Sequence, residues 1–172
     1  PISIDTSKPE VMRQAVEAGA SLINSIWALQ QENSLEIAAA LDVPVCLMHM
    51  QGTPQTMQKN PAYADVVVAV MDFLQQRIDA AIKAGIGEKN IIVDTGFGFG
   101  KPMKHNLLLL KSLHKFKSLG VPLLVGLSRK SMIGTILDKP VDQRLYGSIS
   151  IAVIAAMQGA DIIRVHDVPQ SI

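Results

Sequence analysis

The sequence predicts an α/β protein built on a parallel sheet. Short runs of apolar residues alternate six times with helical segments, and no low-complexity linker interrupts them. Strands that are apolar on both faces are typical of parallel sheets, whose crossover connections are right-handed. Each apolar run also ends in a polar residue. Polar residues at the ends of many strands favour a (β/α)8 TIM barrel over an open doubly wound sheet, which binds its ligand at one switch point.

The length of the chain predicts a partial barrel. A complete barrel normally needs about 250 residues, whereas this chain has 172 and starts at Pro1 with a strand already in progress. We therefore expect residues 1–172 to form one partial domain that covers roughly units three to eight, with the first two βα units absent. We also expect this segment to be poorly active alone and to expose a hydrophobic edge.

The strands are predicted from short runs rich in Ile, Leu and Val that end at glycine, proline or polar residues. The predicted strands are residues 2–5, 22–24, 43–49, 91–94, 123–126 and 161–166. The run 91–94 leads directly into a segment with glycine at every second position, 96–100. Because glycine adopts conformations that other residues avoid, this segment is expected to form a turn that carries a flexible wall.

The helices are predicted from caps and from apolar spacing. The first starts from a side-chain cap at Ser7, because proline and glutamate follow in its first turn, and it runs to about residue 18. Asn33 and Ser34 cap a second helix that runs through residue 40. From Asp65 apolar residues recur at helical spacing until Gly85 ends the helix. Two further helical regions are predicted, residues 106–119 and 141–157.

Composition excludes several classes of protein. The chain is 48% hydrophobic and 18% charged, with a formal net charge of +1. It therefore has enough apolar material for a core, and its net charge gives no general attraction to nucleic acid or to an anionic membrane. The single Cys46 lies within a predicted strand, cannot form an internal disulfide and is expected to be inert core. We expect a cytoplasmic protein.

The polar residues at the strand ends predict a site at one mouth. They are Asp5, Asn24, His49, Asp94, Ser128, Arg129, Lys130, Arg164 and His166. Taken alone each is weak evidence, because an Asp or Asn just past a strand is more often a helix cap or turn former. Together they predict a cluster, because the carboxyl ends of barrel strands meet around one opening.

Two of these ends carry more specific information. The 96–100 segment matches neither a dinucleotide fingerprint nor a Walker loop, and its residues Phe97 and Phe99 either stack on a flat ligand or fill the core. Arg164 and His166 alternate along a strand and so face the same side. A buried arginine is costly without an anion, which predicts an anionic ligand such as a phosphate group.

The remaining polar candidates are given structural roles. His49 is read as structural or pocket-lining, since no second His or Cys stands at metal-ligand spacing. The predicted solvated side chains are Lys101, His105 and His114.

Five motifs in order resemble dihydropteroate synthase over essentially the whole chain. They are IDTSKPEV at 4–11, PVCLMHMQG at 44–52, GFGFGK at 96–101, SRKS at 128–131 and IRVHDV at 163–168. The resemblance implies a TIM-barrel transferase of folate biosynthesis and a target of sulfonamides. Such an enzyme condenses p-aminobenzoate with 6-hydroxymethyl-7,8-dihydropterin pyrophosphate to 7,8-dihydropteroate and pyrophosphate, with Mg²⁺ as cofactor.

The same resemblance implies roles for individual residues. Contacts to the pterin are implied for Asp5, Asn24, Asp94 and Lys130. The implied pyrophosphate clamp is Arg164 with His166. The pocket is expected to be lined by Met48, Ile26, Phe99 and Gly126, with Ser131 near the aminobenzoate carboxylate. Catalysis is assigned to Lys130, Arg164 and His166, and no metal ligand is assigned to this chain.

Two alternatives stay open. A pterin-binding methyltransferase domain resembles this family in fold, and a non-catalytic paralogue could bind pterin as a partner subunit.

The chain departs from the family pattern at Ser25, Trp27 and Thr95. Thr95 stands where proline is usual, which predicts a looser backbone after Asp94. Small molecules are the expected partners, together with a second copy of the chain, because residues 141–157 carry more apolar surface than one barrel buries.

Overall fold

The computed structural model describes residues 1–59 and 61–172 and contains a six-stranded parallel sheet. The strands are β1 (Ser3–Asp5), β2 (Leu22–Ser25), β3 (Val45–Met48), β4 (Ile91–Asp94), β5 (Leu123–Val125) and β6 (Ile162–Ile163). They lie side by side in sequence order, and each pairs in parallel with the next. A doubly wound sheet reverses its strand order at the switch point, so the unbroken order identifies successive units of a barrel.

The helices follow the strands as the alternating pattern predicts. They are α1 (Pro9–Glu17), α2 (Ser34–Leu41), α3 (Val66–Lys83), α4 (Met103–Lys111), α5 (Ser131–Leu137), α6 (Leu145–Met157) and α7 (Val168–Ser171). Short 3₁₀ helices span Glu88–Asn90, Leu113–Leu119 and Val141–Gln143. The predicted helical regions 106–119 and 141–157 are therefore each divided between an α-helix and a 3₁₀ helix.

The central strands β2 to β5 are largely buried on both faces, as their apolar sequences predict, whereas the edge strands β1 and β6 are partly exposed. Ile23, Val45, Leu47, Ile91 and Val93 belong to the main core, which they share with apolar residues of α3. On the opposite face Cys46, Ile92 and Leu124 form a smaller cluster, in which Cys46 and Ile92 are Cα partners on β3 and β4 and Leu124 on β5 is the partner of Asp94. Since consecutive strand residues point to opposite faces, this second cluster fills the interior side of the curved sheet. Complete burial stabilises each large apolar side chain by roughly 1.5–3 kcal/mol.

The predicted side-chain caps are wrong at α1 and at α2, where Asn33 adopts a left-handed backbone and its side chain makes no capping hydrogen bond within the described part of the chain. Helix α3, for which no cap is predicted, does have one. The Asp65 carboxylate accepts hydrogen bonds from the backbone N–H groups of Val67 at 2.8 Å and Val68 at 3.2 Å. Helix α1 instead starts from Lys8, and within the described residues no side chain caps it. Lys8 is held extended, as expected for the residue before proline. The helix therefore begins at Pro9, and Ser7 lies one residue too early to be its cap.

Within residues 1–59 and 61–172, no helix is both long and apolar enough to cross a membrane.

Candidate active site

Polar side chains lie on the interior side of the sheet at the carboxyl ends of the strands, because every second residue of a strand points to the same face. The next interior position after Ile92 on β4 is Asp94, and the next after Cys46 on β3 is Met48. These two residues are Cα partners across the sheet, as are Asp5 and Asn24 on β1 and β2. The apolar interior cluster thus forms a floor beneath a layer of mostly polar groups.

Arg164 connects three strand ends across this layer. Its Nη2 donates to Asp94 Oδ2 at 3.1 Å, and its Nη1 donates to Asn24 Oδ1 at 3.1 Å. Asn24 in turn donates through Nδ2 to Asp5 Oδ2 at 3.0 Å. Asp94 is 2% exposed and also accepts from the Gly96 N–H at 2.8 Å. A nearly buried carboxylate and a nearly buried amide are therefore held in fixed orientations by charge-assisted hydrogen bonds.

Lys130 lies beside this network and contacts the glycine-rich loop. Its Nζ donates to the carbonyl of Phe97 and lies 4.9 Å from the centroid of the Phe99 ring. Burial lowers the pKa of Lys130 to about 8, and Arg164 acts in the same direction while the charge of Asp94 opposes it. Lys130 therefore remains a cation at neutral pH but holds its proton less tightly than an exposed lysine.

His166 is oriented by Ser128. Ser128 Oγ accepts from the His166 backbone N–H at 3.2 Å and lies 3.0 Å from His166 Nδ1. This hydrogen bond occupies Nδ1 and leaves Nε2 as the ring nitrogen available to a ligand. A cavity of about 400 Å³ lies here, and its lining residues are Phe99, Gly126, Ser128, Lys130, Arg164, Val165 and His166. A Cβ at Gly126 would lie 3.0 Å from Arg164 Nη2, so glycine at this position leaves room for the guanidinium.

Arg129 does not face this cavity, although the SRKS motif suggested two cations there. Its Nε donates to Asp167 Oδ2 at 2.9 Å, and its carbonyl accepts from Arg144 Nη1 at 2.9 Å. The residue adopts a left-handed backbone with φ of 57°, and Ser148 Oγ accepts from its N–H at 2.9 Å. These contacts hold Arg129 away from the cavity. Of the two cations in the SRKS motif, Lys130 is the one that lines it.

The two phenylalanines of the loop take different roles. Phe97 is completely buried in the main core, whereas Phe99 is partly exposed and lines the cavity.

The prediction that Lys101 is solvated is wrong, because its side chain is buried with 3% exposure. Burial lowers the pKa of Lys101 to about 7, with Asp94 opposing and Lys130 adding to this effect. His49 is also buried, and desolvation lowers its pKa to about 3, so it is neutral.

The predicted site residues fall into two groups. Phe99, Gly126, Lys130, Arg164 and His166 line one cavity, to which Asp5, Asn24 and Asp94 are connected through Arg164. Met48 is buried next to Asp94, Ile26 is half-buried just after β2, and Ser131 is exposed at the start of α5. The structure brings the first eight together and leaves Met48, Ile26 and Ser131 outside the cavity lining. Sequence reasoning missed Ser128 as an orienting group, although its place in the SRKS motif was a usable signal.

The departures from the family pattern have local consequences. Ser25 Oγ accepts from the Leu29 N–H at 3.0 Å and so supports the turn after β2, where Trp27 is half-buried. Thr95 is completely buried, and its hydroxyl has no hydrogen-bond partner within residues 1–59 and 61–172. A hydrogen bond from the Gly96 N–H to Asp94 Oδ1 fixes the next residue. The structure thus supplies a restraint where a proline was expected.

Comparison with known proteins identifies the family of this chain. A family model described as pterin binding enzyme matches residues 1–166. The chain belongs to the pterin binding enzyme family. A dihydropteroate synthase from Haemophilus influenzae is 57% identical over 167 residues, which make up 97% of this chain and 61% of that relative.

Solved structures of this family share the fold. The Yersinia pestis dihydropteroate synthase in a sulfonamide drug complex matches with a TM-score of 0.96 at 50% identity, covering 98% of this chain and 62% of that one. The Xanthomonas albilineans dihydropteroate synthase in complex with 7,8-dihydropteroate matches with a TM-score of 0.93 at 47% identity, covering 99% and 63%. These matches confirm the prediction of an α/β TIM-barrel segment. The chain spans 61% of the length of the Haemophilus influenzae relative.

Proposed function

We propose that this chain carries the pterin and pyrophosphate sites of a dihydropteroate synthase, a transferase of folate biosynthesis. The observation that carries the proposal is the contact of Arg164 with both Asp94 and Asn24 at the edge of a cavity that Lys130 and His166 also line. A buried carboxylate and amide are thereby placed beside three donors that suit an anion. The relatives named dihydropteroate synthase support the same function.

The pterin is proposed to bind through hydrogen bonds to Asp94 and Asn24. A pterin ring presents an edge of donors and acceptors, and a carboxylate and an amide can read both kinds of group. Discrimination by such buried groups is strong because a wrong ligand leaves them unpaired. Asp5 supports this recognition through its hydrogen bond with Asn24. Met48, the Cα partner of Asp94 on β3, and Gly126, which lines the cavity, are proposed to complete the pocket around the pterin.

The reaction is proposed to be direct displacement of pyrophosphate. The amine nitrogen of p-aminobenzoate attacks the pterin methylene carbon, so a C–N bond forms while the C–O bond to pyrophosphate breaks. The proton lost by the amine passes to pyrophosphate or water. Arg164, His166 and Lys130 stabilise the negative charge that develops on the leaving group. A covalent enzyme intermediate is not part of this scheme.

The aminobenzoate is proposed to lie against Phe99. The ring of Phe99 lines the cavity and offers a flat apolar surface on which an aromatic amine can stack. Ser131, exposed at the start of α5, is proposed to meet the carboxylate of this substrate. Ile26 is proposed to complete the pocket from the turn after β2.

We propose that Mg²⁺ is bound mainly by the pyrophosphate group of the substrate rather than by side chains of this chain. Within the described residues no group of three His, Cys, Asp or Glu side chains could hold a metal ion. Mg²⁺ is commonly held by one or two carboxylates together with substrate phosphates. Mg²⁺ would then enter the site already bound to the pterin pyrophosphate.

A homodimer in the cytoplasm is also proposed. Helix α6 is apolar on most sides, and its Tyr146 and Met157 are 81% and 82% exposed. With α4 and α5 it forms an apolar groove of about 370 Å³, which a second copy of the same surface could cover around a two-fold axis. Light scattering of the wild type and of Met157→Asp tests this proposal: a wild-type monomer would contradict it.

A single-turnover assay tests the activity. Full-length protein in excess is mixed with radiolabelled p-aminobenzoate, Mg²⁺ and 6-hydroxymethyl-7,8-dihydropterin pyrophosphate, and labelled dihydropteroate is the expected product. The pterin alcohol without pyrophosphate is the matched control and should give no product. Tight pterin binding without product would instead support a non-catalytic paralogue, and transfer of a methyl group would support the methyltransferase alternative.

A further inference from the structure

The glycine-rich loop 96–100 is fixed by side chains along its whole length. Each of its five carbonyl groups accepts a hydrogen bond from a side chain. In order, the donors to Gly96, Phe97, Gly98, Phe99 and Gly100 are Lys101, Lys130, Gln58, Lys101 and Tyr63. The loop is therefore not a flexible wall, because moving any of its residues breaks a hydrogen bond to a carbonyl group.

Lys101 makes two of these bonds and a third to another loop. Its Nζ donates to Gly96 O at 2.9 Å, to Phe99 O at 2.9 Å and to His49 O at 3.3 Å. An ammonium group has three hydrogens and no acceptor, so these three carbonyls use its full capacity. His49 directly follows β3, so Lys101 also joins the end of β3 to the loop that follows β4.

The backbone of Lys101 is itself held in place. The amide of Asn106 donates through Nδ2 to Lys101 O at 2.8 Å, while its Oδ1 accepts from the Gly98 N–H at 2.8 Å. Lys101 is absent from the residues that line the cavity, so its side chain lies behind the loop. Two of its bonds bring the carbonyls of residues 96 and 99 together at Nζ, in a loop whose Phe97 lies in the core and whose Phe99 lines the cavity.

We propose that Lys101 is a positioning residue for the aromatic amine substrate: its ammonium group closes the loop 96–100 and so holds Phe99 in the orientation that this substrate requires. This inference rests on the proposed function for the identity of the substrate. The geometry of the loop stands independently of that identity. Lys101 acts through Phe99 and touches no reacting atom.

Two measurements on Lys101→Met in the full-length protein test the proposal. Methionine keeps the length and apolar stem of the side chain but removes the ammonium group. Hydrogen exchange of the peptide that contains residues 96–100 should become at least about tenfold faster, while that of β4 stays unchanged. The KM for p-aminobenzoate should rise about tenfold, the size of one lost aromatic contact, while the affinity for the pterin pyrophosphate changes by less than about threefold.

Two further variants make the result decisive. Lys104→Met makes the same substitution at an exposed position of α4 and should leave both measurements unchanged. Should Lys101→Met fail to fold, Tyr63→Phe removes only the hydroxyl that donates to Gly100 O and should change both measurements in the same direction to a smaller extent.

Unchanged exchange in residues 96–100 would overturn the proposal, as would an equal loss of affinity for both substrates, which indicates general damage to the site. Absence of condensation by the wild type would refute the proposed function alone. In that case the exchange measurement still decides whether Lys101 closes the loop.

Discussion

Replacing Gly96 with alanine should damage both the fold and the site. Gly96 has φ of +67°, and a Cβ built on it would lie 1.9 Å from His49 O, whereas real Cβ atoms essentially never approach closer than 3.0 Å. The left-handed backbone costs an alanine roughly 1–2 kcal/mol. The contact is with backbone, so the two loops must separate by about 1 Å, and no side-chain rotation relieves the overlap.

That separation removes specific hydrogen bonds. The bonds at risk are those from Gly96 N–H to Asp94, from Lys101 to Gly96 O and from Lys101 to His49 O. Each contributes about 1 kcal/mol net. Gly96→Ala should therefore lower the free energy of unfolding by roughly 4–5 kcal/mol, which is large for one substitution.

Two other glycines provide matched controls for this prediction. Gly85 has φ of +99° with nothing within 4 Å of a built Cβ, and Gly98 has φ of +80° with Lys130 Cδ at an ordinary 3.4 Å. Alanine at either position should cost only the backbone term of roughly 1–2 kcal/mol. Urea unfolding followed by circular dichroism measures all three variants. If Gly96→Ala proves no less stable than Gly85→Ala, the close approach of the two loops is not real.

Three further predictions concern the ligands. Asp94→Ala should abolish pterin binding measured by calorimetry, and wild-type affinity would remove Asp94 from the site. Arg164→Ala should weaken binding of the pterin pyrophosphate more than that of the free pterin, so an equal loss for both contradicts the clamp. The kcat/KM for the pterin pyrophosphate should fall as the pH rises through about 8, because Lys130 is cationic below its lowered pKa and neutral above it. Lys130→Arg should remove this alkaline decline, and an unchanged profile would show that another group titrates.

The fold could be predicted from the sequence because its signals are local. Runs such as residues 91–93 are apolar throughout, and a strand that is buried on both faces requires such a run. The ends of these runs also placed Asn24 and Asp94 correctly at one mouth. Strand periodicity and the common direction of parallel strands are enough to bring such residues together, and neither depends on details of packing.

Contacts between distant segments could not be predicted in this way. Lys101 stands between Gly100 and Pro102, a setting typical of an exposed turn, and it is buried because its ammonium group meets the carbonyl of His49, 52 residues away. Arg129 is drawn from the cavity by Asp167, which lies 38 residues further along the chain. The sequence reveals neither partner, since each depends on how two loops pack against each other.

The charges around Asp94 give a physical basis for the proposed binding of an anion by a nearly neutral chain. The chain has a net charge of +1, yet three cations gather around the Asp94 carboxylate. Arg164 forms an ion pair with Asp94, and the charges of Lys130 and Lys101 also interact with it. The lowered pKa values of both lysines record the cost of burying cations that one carboxylate cannot neutralise. An anion in the cavity offsets that cost and strengthens the hold of Lys130 on its proton. We therefore expect the proposed affinity for a pyrophosphate group to come from cations gathered at one mouth, of which Lys130 is desolvated, rather than from the charge of the whole protein.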